Sequence, residues 1–190
     1  MSFTMFRPTL FASALLVSCS LPVMATTAAA PQQKITAAEV TAAQQAWGQA
    51  LIQISTDYHK AGLAQATKTA KAVLDQAYAY QDGPVLFKPT LASGAQTFRT
   101  SYEGALSYFV GGNADFSQDQ GFALKGWQQY SFKNAAVHLN GDMALTMGHV
   151  MLTDKYGKVT TVDKTWGFKK GQDGQIRIVL HHSSLPYAAK

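Results

Sequence analysis

The chain is poor in cysteine and poor in charge. Of its 190 residues only 14% are charged, and Cys19 is the only cysteine. One cysteine excludes an intrachain disulfide framework and a zinc site built from several thiolates. The 16 Lys and Arg against 11 Asp and Glu give a formal charge of +5. That excess is mild and scattered, so no nucleic-acid partner is expected. No phosphate loop, dinucleotide fingerprint, Gly-x-Ser-x-Gly elbow or His-Glu-x-x-His pair is present. What the chain does have is apolar content, 47% of residues, which is ample for a packed core. The length suggests one domain, at ~100–200 residues each.

Residues 1–25 have the layout of a secretory signal, with Arg7 followed by an apolar stretch from Leu10 to Val17. That stretch is shorter than the ~20 residues a membrane-spanning helix needs. Two kinds of processing compete. Val23-Met24-Ala25 fits ordinary cleavage, whereas Leu16-Val17-Ser18-Cys19 resembles a lipoprotein box in which Cys19 carries the lipid. Either way the chain is expected outside the cytoplasm, in the periplasm, and at a membrane only if Cys19 is lipidated. Cleavage after Ala25 leaves a mature chain without cysteine, so thiol chemistry drops out.

Residues 26–34 read as a flexible tether, and residues 35–190 as a single domain. Thr36-Ala37-Ala38-Glu39 is a capping box, with Ile35 and Val40 as a hydrophobic staple. Val40, Trp47, Leu51, Ile54 and Tyr58 follow at helical spacing. Gly62 interrupts, and a second helix is expected from about Leu63 to Tyr80. Val85 to Lys88 reads as a short strand, and Tyr102 to Val110 as a helix stopped by Gly111-Gly112. Four strands follow, over 130–139, 143–153, 159–169 and 175–183, separated by turn-forming segments. Helices before an antiparallel meander give an α+β class. The expected architecture is N-terminal helices packed on a curved antiparallel sheet, a cone like that of the nuclear-transport-factor-2-like superfamily. Such cones host enzymes, binding modules and scaffolds alike.

The five histidines are His59, His138, His149, His181 and His182. His59 reads as solvated, and His138 and His149 as polar strand residues. In the last strand, alternation places Ile176, Ile178, Leu180, His182 and Ser184 on one face, and Gln175, Arg177, Val179, His181 and Ser183 on the other. His181 and Ser183 therefore share a face.

Four segments carry a resemblance. They are Val85-Leu86-Phe87-Lys88-Pro89-Thr90, residues 105–112 (Ala-Leu-Ser-Tyr-Phe-Val-Gly-Gly), Gly121-Phe122-Ala123-Leu124, and residues 181–187 (His-His-Ser-Ser-Leu-Pro-Tyr). Together, in that order, they resemble the iota-class carbonic anhydrases, above all the metal-free bacterial and algal branch. The similarity extends from about Ile35 to Tyr187. It implies CO2 and bicarbonate as substrates, no metal cofactor, and a pocket of hydroxyls carried by Thr90, Tyr108 and Ser183. His181 is the implied fourth contact and a candidate proton relay, and Phe87, Leu106, Phe109 and Trp127 are candidates for an apolar wall. Bland roles stay open for Tyr108, as a core aromatic, and for Thr90, as a turn cap.

Other readings stand beside this one. A metal-dependent enzyme would need Zn2+ or Mn2+ on His181 with His138 or His149. A periplasmic small-ligand or scaffold domain would use the same cone without catalysis. Phosphoribosyl-AMP cyclohydrolase chemistry is disfavoured, because it depends on a cysteine-bearing metal site. A homodimer is expected, paired through a convex sheet face carrying Trp166, Phe168 or Ile178.

Overall fold

The structure is a computed structural model that describes residues 1–2 and 33–188. The signal segment, Cys19 and most of the tether lie outside the described residues.

Helix α1 runs Ala37–Ala77 and is broken at Gly62, whose backbone (φ 79°, ψ −174°) is not helical. A positive φ of this kind costs glycine little and other residues much. The break gives the two expected arms, and Thr69 Oγ1 donates to Asp57 Oδ2 across it at 2.6 Å. The capping box forms as read: Thr36 Oγ1 accepts from Glu39 N, and Glu39 Oε2 accepts from Thr36 N at 2.9 Å. Ile35, Val40, Trp47, Leu51 and Ile54 are buried in the core, while Tyr58 at the end of that series is exposed. The second arm stops at Ala77, three residues short of the expected Tyr80. Tyr78 turns extended instead and bridges Ile178.

Strand β1 (Leu86–Lys88) and helix α2 (Tyr102–Val110) follow, then β2 (Trp127–Asn140), β3 (Met143–Asp154), β4 (Val159–Lys170) and β5 (Ile176–Ser184). Ser101 caps α2 by accepting from Gly104 N, and Gly111 ends it at φ 69°. The sheet order is β1-β5-β4-β3-β2. β2 to β5 form the expected antiparallel meander, but β1 runs parallel to β5, so the sheet is mixed. The class is α+β, with the helices against one face of a curved sheet.

One irregularity sets the site. Phe168 pairs with Ile178 and Gly167 with Leu180, so β5 holds one extra residue, Val179. A bulge of this kind reverses the in-out alternation beyond it. Ile178 and His181 therefore both face the core, where strict alternation had put them on opposite faces. Trp166, Phe168 and Ile178 are all buried, which corrects the expectation that they form an outer pairing face.

Candidate active site

Both helices and most of the sheet contribute to one small cavity. The parallel pairing of β1 with β5 sets Phe87 beside His181, with ring centroids 4.3 Å apart. Just past β1, Thr90 Oγ1 reaches Ser183 Oγ at 3.0 Å. Helix α2 delivers Tyr108, whose hydroxyl accepts from Leu91 N at 3.4 Å and whose ring stacks on Phe122. β4 brings Lys164, and α1 lays Trp47 across the top. The cavity is lined by Thr90, Tyr108, Ser183, His181 and Lys164, with Trp47, Phe109, Phe122 and aliphatic side chains of β3 and β4 as its apolar wall. Its volume of about 10 Å³ is the size that holds one water, ~10–15 Å³. A larger groove of about 270 Å³ lies between α1 and β5, but no ionisable group lines it.

The structure thus brings Thr90, Tyr108, Ser183 and His181 together. The apolar wall differs from the expected one. Phe109 lines the cavity, whereas Phe87 backs His181, Leu106 packs at the edge of the core, and Trp127 lies behind Phe122 and donates to its carbonyl. His138 and His149 are exposed, His149 beside Asp163, so neither reaches His181. That removes the ligand set weighed for Zn2+ or Mn2+. Among the described residues, no three His, Cys, Asp or Glu side chains converge to hold a metal. His59 is exposed, as expected.

Sequence pattern alone does not single out Lys164. The signal was present: Val162, Lys164, Trp166 and Phe168 alternate along β4 and all face inward. The Lys164 side chain is 5% exposed, and its Nζ lies 4.5 Å from the Trp47 ring centre and 5.0 Å from that of Trp166. It contacts His181 Nε2 and reaches Ser183 Oγ at 3.4 Å. No carboxylate lies within salt-bridge reach among the described residues. An ammonium over two indoles gains about 2 kcal/mol, while burying an unpaired ion costs several kcal/mol. Desolvation wins, and burial holds the Lys164 amine well below its usual range.

His181 is equally buried. Burial first, then any charge on Lys164 or His182, pushes its imidazole well below its usual range, so it is neutral. Its Nδ1 faces Tyr78 Oη at 2.7 Å, and Tyr78 Oη accepts from Trp47 Nε1 at 2.8 Å. A neutral imidazole has one hydrogen for two contacts. With that hydrogen on Nδ1, the Lys164 amine donates to Nε2 and to Ser183, and its lone pair remains. With it on Nε2, the amine must accept. Burial raises the Tyr78 and Tyr108 hydroxyls above 10, although hydrogen bonds from Leu91 and Thr90 work against this at Tyr108. Both keep their hydrogens at neutral pH. Ser183 Oγ accepts from Thr90 and Lys164, which leaves its own O–H to point into the cavity. The result is several neutral donors and one amine that burial pushes toward its uncharged form, in one small cavity, chemistry suited to a small planar anion and a proton.

Comparison with known proteins agrees with this chemistry. A family model for metal-independent carbonic anhydrase matches residues 38–185. A metal-independent carbonic anhydrase of Nostoc sp. (strain PCC 7120 / SAG 25.82 / UTEX 2576) is 58% identical over 153 residues, 80% of this chain and 75% of that one. The crystal structure of a cyanobacterial iota-carbonic anhydrase complexed with bicarbonate superposes with a TM-score of 0.82 at 54% identity, covering 86% of this chain and 99% of that one. A calcium/calmodulin-dependent protein kinase II association domain from Xanthomonas campestris reaches a TM-score of 0.51 at 26% identity, over 85% and 95% of the two chains. With its hydroxyl-lined cavity set in a helix-on-sheet cone, this chain belongs to the metal-independent carbonic anhydrase family.

Proposed function

We propose that the Thr90, Tyr108 and Ser183 hydroxyls hold bicarbonate in the reversible hydration of CO2, the reaction of the family. The observation that carries the assignment is the 3.0 Å bond between Thr90 and Ser183 in a cavity shared with the Tyr108 hydroxyl. CO2 enters apolar space beside Phe109 and Phe122. Charge then develops on the carbonate oxygens, where neutral donors fixed in a dry site act as an oxyanion hole does. Removing one such donor costs about 10²–10³ in rate. Stopped-flow CO2 hydration with and without EDTA tests the reading. Tyr108→Phe, Thr90→Ala and Ser183→Ala are each expected to lose at least tenfold in kcat/KM, with EDTA inert. Three fully active variants sink the assignment, and activity restored only by Zn2+ or Mn2+ sinks the metal-free one.

We also propose a homodimer, paired through the outer sheet face. The support is an apolar row, Leu86–Leu180–Gly167–Leu145, in register across β1, β5, β4 and β3, with Met147 61% exposed beside it. Met147→Glu is expected to give a monomer by light scattering. Export rests on the layout of residues 1–25. Mass spectrometry of the protein from cells is expected to find Thr26 as the first residue, and a lipidated Cys19 instead would make it an anchored lipoprotein.

A further inference from the structure

We propose that Lys164 accepts the proton released in hydration, with His181 holding the amine in place. This rests on the carbonic anhydrase reading above and names the base that the three hydroxyls do not supply. Thr90 and Ser183 are alcohols, and Tyr108 stays a neutral phenol at working pH. Within the cavity, the nitrogen groups are Lys164, His181 and the indole of Trp47. The indole has no basic lone pair. Both His181 nitrogens are engaged, Nδ1 by Tyr78 and Nε2 by Lys164. In the tautomer with the imidazole hydrogen on Nδ1, Lys164 is the group with a basic lone pair to turn toward the cavity, its two N–H bonds going to His181 Nε2 and Ser183 Oγ.

The step balances in atoms and electrons. The water oxygen bonds to the CO2 carbon, and one C=O π pair moves onto oxygen. One water O–H bond breaks, and its proton forms a new N–H bond on Lys164. The product is bicarbonate beside an ammonium that donates to His181 Nε2 and Ser183 Oγ. This path uses the tautomer in which the imidazole hydrogen stays on Nδ1 and Tyr78 Oη accepts it. Return of that proton to solvent closes the cycle. Beside the Ser183 hydroxyl, the ammonium also neutralises the new anion.

An amine can serve as base only while uncharged, and burial in this cavity favours that form. His181 and His182 face or approach it from β5, Tyr78 from the end of α1, and Tyr108 from α2. None of these groups brings a negative charge to the amine at neutral pH.

The test compares Lys164→Met with wild type in CO2 hydration, and measures bicarbonate binding by calorimetry. Lys164→Met is expected to lose at least 100-fold in kcat, in line with the ~10²–10⁴-fold worth of a positioned base. Bicarbonate affinity should change less than tenfold, and added imidazole buffer should restore part of the rate. Unchanged kcat overturns the proposal, and so does a loss of binding as large as the loss of rate. A second measurement needs no variant. In protein labelled with 15N-lysine, Lys164 Nζ should resonate as a free amine at pH 8, and an ammonium signal there overturns the assignment. If the hydroxyl variants stay active while Lys164→Met fails, the bicarbonate site is misassigned and the base stands.

Discussion

Lys164 on β4 and His181 on β5 touch through Nζ and Nε2, although strand register pairs Lys164 with Ser183 and His181 with Trp166. The contact is diagonal, between inward-facing neighbours one step apart on the same face. Such pairs lie within reach of long side chains. It puts two basic nitrogens together in a space where burial disfavours a charge on either.

The pair makes stability depend on pH. Lys164 is an ammonium in the unfolded chain below about 10.5 but is held well below that when folded. Between the two values the unfolded state binds one more proton, so stability rises with pH by about 1.4 kcal/mol per unit. Lys164→Met removes this dependence and fills the site with an apolar chain of similar length. The variant is expected to be about 1–3 kcal/mol more stable at pH 7, with a flatter profile from pH 7 to 10. Urea denaturation at several pH values measures this, and a less stable variant at pH 7 contradicts it.

The tyrosines act at the other end of the scale. Burial raises Tyr78, Tyr108 and Tyr130 above the ordinary value of 10. An acid raised on folding contributes stability that is complete below the unfolded pKa and is lost as pH climbs through the folded one. The native protein should therefore show delayed tyrosinate absorbance for these residues above pH 10, with unfolding on the alkaline side. Titration of all eight tyrosines near pH 10 with the fold intact is the contrary result.

Arg99 and Asp119 form a bidentate buried pair at 2.7 and 2.9 Å, and Ser107 of α2 donates to the same carboxylate at 2.7 Å. This cluster ties α2, which carries Tyr108, to the loop that leads to Phe122. Asp119→Ala leaves Arg99 buried without its partner, and the expected cost is about 3–5 kcal/mol. The denaturation midpoint should fall, and CO2 hydration with it. A change under 1 kcal/mol would falsify the role given to the cluster.

Gly48 lets α1 approach the sheet. A Cβ there meets the Tyr130 ring at 2.0 Å, and Trp47 next to it covers Lys164. Gly48→Ala forces the helix or the ring aside. Overpacking of this kind costs about 1–3 kcal/mol, and kcat should fall as Trp47 shifts. Wild-type stability in a melting curve is the outcome that rejects this.

Much of the fold was legible in the chain because its signals are local. The capping box, the break at Gly62, the stop at Gly111 and the turns around Gly141, Gly157 and Gly174 depend on a few neighbouring residues each. The four long strands lie within three residues of their expected ends for the same reason. Motif resemblance supplied Thr90, Tyr108, Ser183 and His181 as candidates. Lys164 escaped because a lysine in an alternating strand reads as a solvated side chain unless its strand is known to bury the face that carries it.

By itself, the sequence determined the class, the order of elements and the family, and named the candidate hydroxyls. Only the tertiary structure decided which of these residues face one another. The parallel pairing of β1 with β5 joins residues 94 positions apart, and the Val179 bulge depends on how β5 packs against β4 and the end of α1. Neither leaves a local pattern in the chain, because strand pairing and bulges are settled by which faces must be buried together. The same burial pushes the Lys164 amine toward its uncharged form beside His181, since desolvation acts on the folded molecule and not on the residue.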